Sequence, residues 1–207
     1  VINARSYSKD TNEWSALASS EFIFGNPATK ENLIISEFNY HPQQVVDPES
    51  IESEFGQNDF EFIELTNITD YAITLRGVEF SQGIDFKFDE DSEFKILQPG
   101  QQILIVKDTD AMISRYGNSV KQHIAGEFKN ETKLSNNGEK ITLIGNSKQI
   151  IHSIDYSDKL PWPVGSDGEG FTNVLKDLST NIDVSNPESW TTSSLPKGSP
   201  AGIETDS

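Results

Sequence analysis

Apolar and polar residues alternate along this chain in short bursts separated by turn residues. The first strong burst is Leu33-Ile34-Ile35-Ser36-Glu37-Phe38-Asn39-Tyr40, and the second is Phe60-Glu61-Phe62-Ile63-Glu64-Leu65-Thr66-Asn67. A period of two over six to eight residues is the mark of a strand with one face against a core. Read by strict alternation, Glu37 falls on the side of Leu33 and Ile35, and Glu64 on the side of Phe60 and Phe62. The glutamates are therefore expected to face inward or to lie at a sheet edge.

Further bursts follow at Ala72-Ile73-Thr74-Leu75, Val78-Glu79-Phe80 and Ile84-Asp85-Phe86-Lys87-Phe88. Gln102-Ile103-Leu104-Ile105-Val106-Lys107 is the most continuous apolar run and suits a central strand covered on both faces. A helix is expected from about Thr109 to Tyr116: Asp108 or Thr109 can cap it, Asp110 and Arg115 suit the two dipole ends, and Gly117 stops it. The pair Asn137-Gly138 marks a tight turn before Ile141-Thr142-Leu143-Ile144. That strand is expected to form a hairpin with Gln149 to Tyr156. Beyond Tyr156 the period is lost, Phe171 to Leu175 reads as a last strand, and the end from Ser193 onward reads as loosely held. Many short strands with regular turns predict an all-β chain, a β-sandwich with one short helix.

At the other end, Val1 to Tyr7 and Trp14 to Phe24 read as a two-stranded ribbon around Lys9-Asp10-Thr11-Asn12. Such a ribbon is marginal in water and is expected to pack on a neighbour. Gly25-Asn26-Pro27 breaks both helix and sheet, so residues 26–32 read as a linker. The expected divisions are 1–25, the linker, a domain over 33–202, and a flexible tail over 203–207.

The formal charge is −17 over 207 residues. Nucleic-acid binding draws its affinity from Lys and Arg, so the balance excludes a phosphate-tracking surface and leaves cations or basic partners. There are no cysteines, which removes disulfides, thiol catalysis and thiolate metal sites. No apolar run reaches the roughly eighteen residues of a membrane span, and no signal peptide is present in this segment.

Four phrases occur in the order shared by one family: Ile35 to Pro42, Glu61 to Asn67, Leu134-Ser135-Asn136-Asn137-Gly138-Glu139-Lys140-Ile141-Thr142-Leu143, and Tyr156-Ser157-Asp158-Lys159-Leu160-Pro161-Trp162-Pro163. With Leu97-Gln98-Pro99-Gly100 and Asp167-Gly168-Glu169-Gly170 they make the chain resemble a bacterial lamin tail domain over Leu33 to Gly202. The resemblance implies an immunoglobulin-like sandwich. It also implies a non-catalytic accessory module of a larger secreted or surface-attached protein, with a protein or surface glycan as partner. Two departures stand out: the His41 to Asp59 connection is long and acidic, and Phe171-Thr172-Asn173 follows Gly170 where Ser-Leu-Glu is usual. Before it, Asn3-Ala4-Arg5-Ser6-Tyr7, Glu13-Trp14-Ser15-Ala16-Leu17 and Phe22 resemble the closing strands of the fibronectin-like domain that ends chitobiases and hexosaminidases.

Several groups are candidates for chemistry. Glu37, Glu61 and Glu64 offer the paired carboxylates that glycoside hydrolysis uses, against the plainer reading that they bond hydroxyl and backbone groups at a sheet edge. Asp85, Asp89, Glu90, Asp91 and Glu93 supply clustered oxygens of the kind calcium takes, as do Asp155, Asp158, Asp167 and Glu169. Neither follows an EF-hand order, and each is also readable as a solvated acidic loop. Trp162 between two prolines, with Tyr156 and Asp167 nearby, offers an aromatic platform for a sugar ring, against the reading that Trp162 covers one end of the core. His41, His123 and His152 are too scattered for a zinc motif, and no Gly-x-Ser-x-Gly occurs. No catalytic residue and no metal ligand is assigned.

Overall fold

The extended segments are set by β-branched and aromatic residues, and the turns between them by glycine and asparagine. In the computed structural model, which describes residues 2–20 and 25–202, these segments form five sheets. The strands in chain order are β1 (Ile2–Ala4), β2 (Tyr7–Ser8), β3 (Glu13–Trp14), β4 (Ala18–Ser20), β5 (Asn26–Pro27), β6 (Leu33–Asn39), β7 (Phe62–Asn67) and β8 (Ile73–Thr74). They continue as β9 (Glu79–Gln82), β10 (Ile96–Leu97), β11 (Gln102–Val106), β12 (Ile124–Glu127), β13 (Glu139–Ile144), β14 (Ile150–Tyr156), β15 (Asn173–Leu175) and β16 (Trp190–Thr192). One α-helix, α1 (Thr109–Tyr116), lies between β11 and β12, capped by the Asp108 carboxylate, which accepts from the Ala111 N–H at 2.8 Å.

One layer is a six-stranded sheet in the order β12-β11-β7-β6-β15-β16, antiparallel except where β12 runs parallel to β11. The three-stranded sheets β14-β13-β9 and β10-β8-β5 supply the facing side. Ile35, Phe38, Ile63, Leu65, Ile103 and Ile105 from the large sheet enclose one core with Ile73, Leu97, Ile141, Leu143, Ile151 and Ile154. A sheet buried on one face only would show alternation, but β6 and β7 are buried at every position. Their other face is covered too: Phe62, Leu104 and Val106 pack against Met112, Tyr116 and Val120 from α1 and the turn after it. This is the expected immunoglobulin-like, all-β arrangement with one short helix.

A register shift at Ser36 corrects the strict-alternation reading of Glu37. Ile35 faces Leu65, but after the extra residue Glu37 faces Glu64. A bulge of one residue flips every later side chain to the other face. Glu37 therefore leaves the side of Ile35 and joins Glu64 on the face beneath α1, while Phe38 turns to the core. Nor are these glutamates at an edge, since β6 and β7 are the two middle strands.

Three boundary expectations change as well. Asn26–Pro27 pairs in parallel with Ile73–Thr74, and Ala28 is buried in the core, so residues 26–32 belong to the sandwich instead of linking to it. Phe171 to Leu175 is not the last strand, because β16 pairs beyond it. The described part of the end, residues 193–202, is not loose: the Tyr116 hydroxyl donates to the Lys197 carbonyl at 2.5 Å, and the Lys197 N–H donates to the Gly170 carbonyl at 2.5 Å. The expected flexible tail over 203–207 and the expected strand residues Glu21 to Phe24, Phe22 among them, lie outside the described residues.

Near the start of the chain, β1 pairs with β4 and β2 with β3, and Trp14 stacks with Tyr7 at 4.9 Å beneath the Arg5 guanidinium. The side chains described in this ribbon are all exposed, so its expected packing partner is not among the described residues. No helix among the described residues is long and apolar enough to cross a membrane.

Candidate functional site

The carboxylates that sequence reasoning singled out are enclosed and bonded to the fold. Glu37 Oε1 accepts from the Thr172 hydroxyl at 2.6 Å and the Ser199 N–H at 3.3 Å. Glu64 Oε1 accepts from the Ser36 hydroxyl at 2.5 Å and the Gln102 amide at 3.0 Å, and its Oε2 accepts from the Ala201 N–H at 2.6 Å. Glu61 Oε2 accepts from the Leu134 N–H at 2.7 Å, while its Oε1 has no partner. The hydroxyl and backbone partners are those of the plainer reading, moved from the edge to mid-sheet.

Burial governs how these groups titrate. Desolvation, then the neighbouring Glu64 charge, pushes the Glu37 carboxyl up to about 8. Desolvation also raises Glu61 to about 8, against the opposing pull of the Leu134 N–H and the Lys107 charge. Glu64 is raised by the same burial. Raised carboxyls in a cleft point to acid–base chemistry, but all three residues are at most 3% exposed, so no substrate reaches them as they stand.

An open polar concavity lies elsewhere, at the acidic His41 to Asp59 insertion. Two 3-10 turns, Ile51–Glu54 and Gln57–Phe60, fold this segment against α1. Gln43, Gln44, Val46, Asp47, Arg115 and Lys197 are among the residues that wall a cleft of about 220 Å³. Its floor is an ion cluster. Glu52 Oε2 sits 2.9 Å from both Arg115 Nε and Nη2, and Glu52 Oε1 sits 2.7 Å from Lys197 Nζ. Burial opposes the Glu52 charge, yet the Lys197 hydrogen bond and the Arg115 charge outweigh it and hold the carboxyl below the usual range. The guanidinium also lies 3.4 Å from the centroid of the buried Phe60 ring.

Sequence reasoning placed Arg115 at a helix end for the dipole and so missed this cluster. The available signal was an acidic loop with no Lys or Arg of its own, which needs cations from elsewhere in the chain.

Trp162, Tyr156 and Asp167 do not form a platform. Trp162 is 3% exposed, with its ring centroid 6.1 Å from Trp190 and 6.4 Å from Phe38. An enclosed indole offers no face to a sugar, so the structure corrects the platform reading in favour of core cover. Tyr156 is buried and donates to the Ser135 carbonyl at 2.8 Å. Asp167 is taken up by His41 Nδ1 at 2.6 Å. Trp190 is likewise buried, its indole N–H donating to the Val184 carbonyl at 2.9 Å.

Several carboxylates of the acidic loops are bonded locally. Asp89 Oδ1 accepts from the Asp91 N–H at 3.0 Å and the Ser92 hydroxyl at 3.2 Å, Glu90 pairs with Arg76, and Asp85 accepts from Asn130. Among the described residues no group of three or more His, Asp or Glu side chains is gathered as a metal ion needs. His152 is an ordinary sheet residue whose Nε2–H donates to the Leu33 carbonyl at 2.8 Å.

No curated protein and no solved structure matches this chain. The family model described as Lamin Tail Domain matches residues 26–158. It starts at the β5 strand that sequence reasoning took for a linker, and it spans the two middle strands, the helix and the β13–β14 hairpin. With more than half of its length matched, the chain belongs to the lamin tail domain family.

Proposed function

We propose that this chain is a non-catalytic interaction module, an accessory part of a larger secreted or surface-attached bacterial protein. The observation that carries the reading is a contrast between two sets of carboxylates. Those able to do acid–base work, Glu37, Glu61 and Glu64, are sealed inside the fold. Those of the insertion, Asp47, Glu49 and Glu54, are exposed beside Val46 and Ile51, which are 88% and 65% exposed.

Exposed aliphatic groups ringed by acidic ones around a cleft suit a basic protein segment that carries an apolar anchor. The net charge of −17 adds long-range attraction for such a partner. The secreted bacterial setting comes from the phrases that resemble bacterial members of the family.

Two measurements test this. Chromogenic glycosides and phosphate esters should give no turnover beyond that of a Glu37→Gln, Glu64→Gln double variant; turnover abolished by those substitutions would make the chain an enzyme. Titration of basic, apolar-anchored peptides should give salt-sensitive binding that the Asp47→Asn, Glu49→Gln, Glu54→Gln variant weakens about tenfold or more. Equal binding by both proteins would move recognition away from the insertion.

A further inference from the structure

We propose that residues Lys197 to Ala201 form a proton-dependent strap, held shut over the middle of the large sheet by a buried Glu37–Glu64 pair that shares one negative charge. The geometry comes first. Glu37 and Glu64 are direct cross-strand partners on β6 and β7, and like charges in that position repel. Both are enclosed, and both receive a backbone N–H from the strap: Ser199 to Glu37 at 3.3 Å, and Ala201 to Glu64 at 2.6 Å.

The strap approaches closely because residue 198 has no side chain. Gly198 sits at φ +81, and a Cβ there would run into Glu37 Oε1 and lie 2.6 Å from Thr172 Cγ2. Removing the strap would return both carboxylates to water.

The two sites are not equivalent. Glu64 accepts on both oxygens from Ser36, Gln102 and Ala201, an arrangement suited to the ionised form. Glu37 accepts on Oε1 alone, an arrangement that suits the protonated member of the pair. Two carboxylates sharing a dry site cannot both ionise without a large penalty, and the pair titrates as a unit. Loss of the Glu37 proton thus places two negative charges under the strap, and opening the strap relieves them by hydration.

Other charged and titratable groups face the pair. His123 approaches Glu64 from the turn before β12. Tyr116 reaches it from α1; burial pushes its hydroxyl up, so it stays neutral. Arg115, Glu52 and Lys197 form the neighbouring ion cluster. Because Lys197 also walls the insertion cleft, strap opening and cleft widening are one movement. That consequence for partners rests on the interaction reading, whereas the opening itself does not.

The test is hydrogen exchange of the Ser199 and Ala201 amides in the full chain between pH 5 and 9, corrected for the intrinsic pH dependence of exchange. If opening releases one proton, the opening constant rises up to about tenfold per pH unit until Glu37 is ionised in the closed state, and then levels. Glu37→Gln keeps a neutral acceptor for Thr172 and Ser199 and should flatten the profile. His123→Gln should leave the slope in place. An equal slope in Glu37→Gln, a slope lost in His123→Gln, or no slope in the parent chain would each overturn the proposal. Should Glu37→Gln fail to fold, a carboxyl carbon-13 titration of the parent decides: a Glu37 midpoint near 8 supports the strap, and one in the ordinary carboxylate range overturns it.

Discussion

Replacing Arg115 by methionine tests whether the insertion is held by a buried ion cluster or only by shape. The substitution keeps an unbranched apolar stem over Phe60 but removes the charge that Glu52 needs. Cutting one partner from a buried pair costs about 3–5 kcal/mol, because the other charge is stranded. Here Glu52 retains Lys197 at 2.7 Å, which limits the loss, while the stacked guanidinium contributes up to about 2 kcal/mol of its own when desolvated.

We therefore expect Arg115→Met to destabilise the chain by about 2–4 kcal/mol in urea unfolding at neutral pH. Glu52→Gln should cost a comparable amount. The two losses should not add: a double-mutant cycle should return a coupling of about 1–3 kcal/mol, little changed by salt, since the pair is shielded from solvent ions. Additive costs, with a coupling below about 0.5 kcal/mol, would show that Arg115 acts through packing alone and that the ion cluster does not hold the insertion.

Four further outcomes are expected. Trp162→Ala should cost about 3–5 kcal/mol in chemical unfolding, as for any large core aromatic, and a loss under about 1 kcal/mol would place the ring outside the core. Gly198→Ala, which forces an L side chain to positive φ and onto Glu37, should speed exchange at Ser199 and Ala201 at every pH, and unchanged exchange would contradict the close approach. Glu61 binds a proton when folded up to about 8 but only to the ordinary range when unfolded. Its contribution is therefore whole at acid pH and is lost as pH rises from about 4.5 to about 8, by at most about 1.4 kcal/mol per unit, and Glu61→Gln should make the decline of stability with pH shallower by that amount. Millimolar calcium and chelator should give the same melting midpoint, because Asp85, Asp89 and Glu90 are bonded locally and no three carboxylates among the described residues converge; a rise with calcium would require them to converge.

Much of the sandwich could be read from local pattern. The helix over 109–116, its Asp108 cap, the doubly covered run at β11 and the hairpin after Asn137-Gly138 are each dictated by neighbours within a few residues, and each is present. What could not be read is the part fixed at long range. Ser36 looks like any strand residue, and only the pairing with β7 shows that it is the bulge that sends Glu37 to the other face.

The Gly- and Pro-rich segments before β6 and after β16 have the composition of loose connections. Their backbone groups are fixed by β8 in one case and by buried carboxylates in the other. The insertion cleft was half visible. The acidic excess of the insertion pointed to it, but Arg115 and Lys197, which complete the cleft, come from 63 and 145 residues away from Glu52.

The pairing of β6 with β15 also bears on how the chain is made. Thr172, beside that pairing, bonds Glu37 across 135 residues, so a ribosome must deliver most of the sequence before β6 and β15, the fourth and fifth strands of the large sheet, can meet. Until then β6 is a bare apolar edge able to recruit other chains. The same edge would be uncovered by trimming the protein to residues 26–158, the span that matches the family. A usable fragment must therefore run past the matched span and include β15, β16 and the residues up to 202.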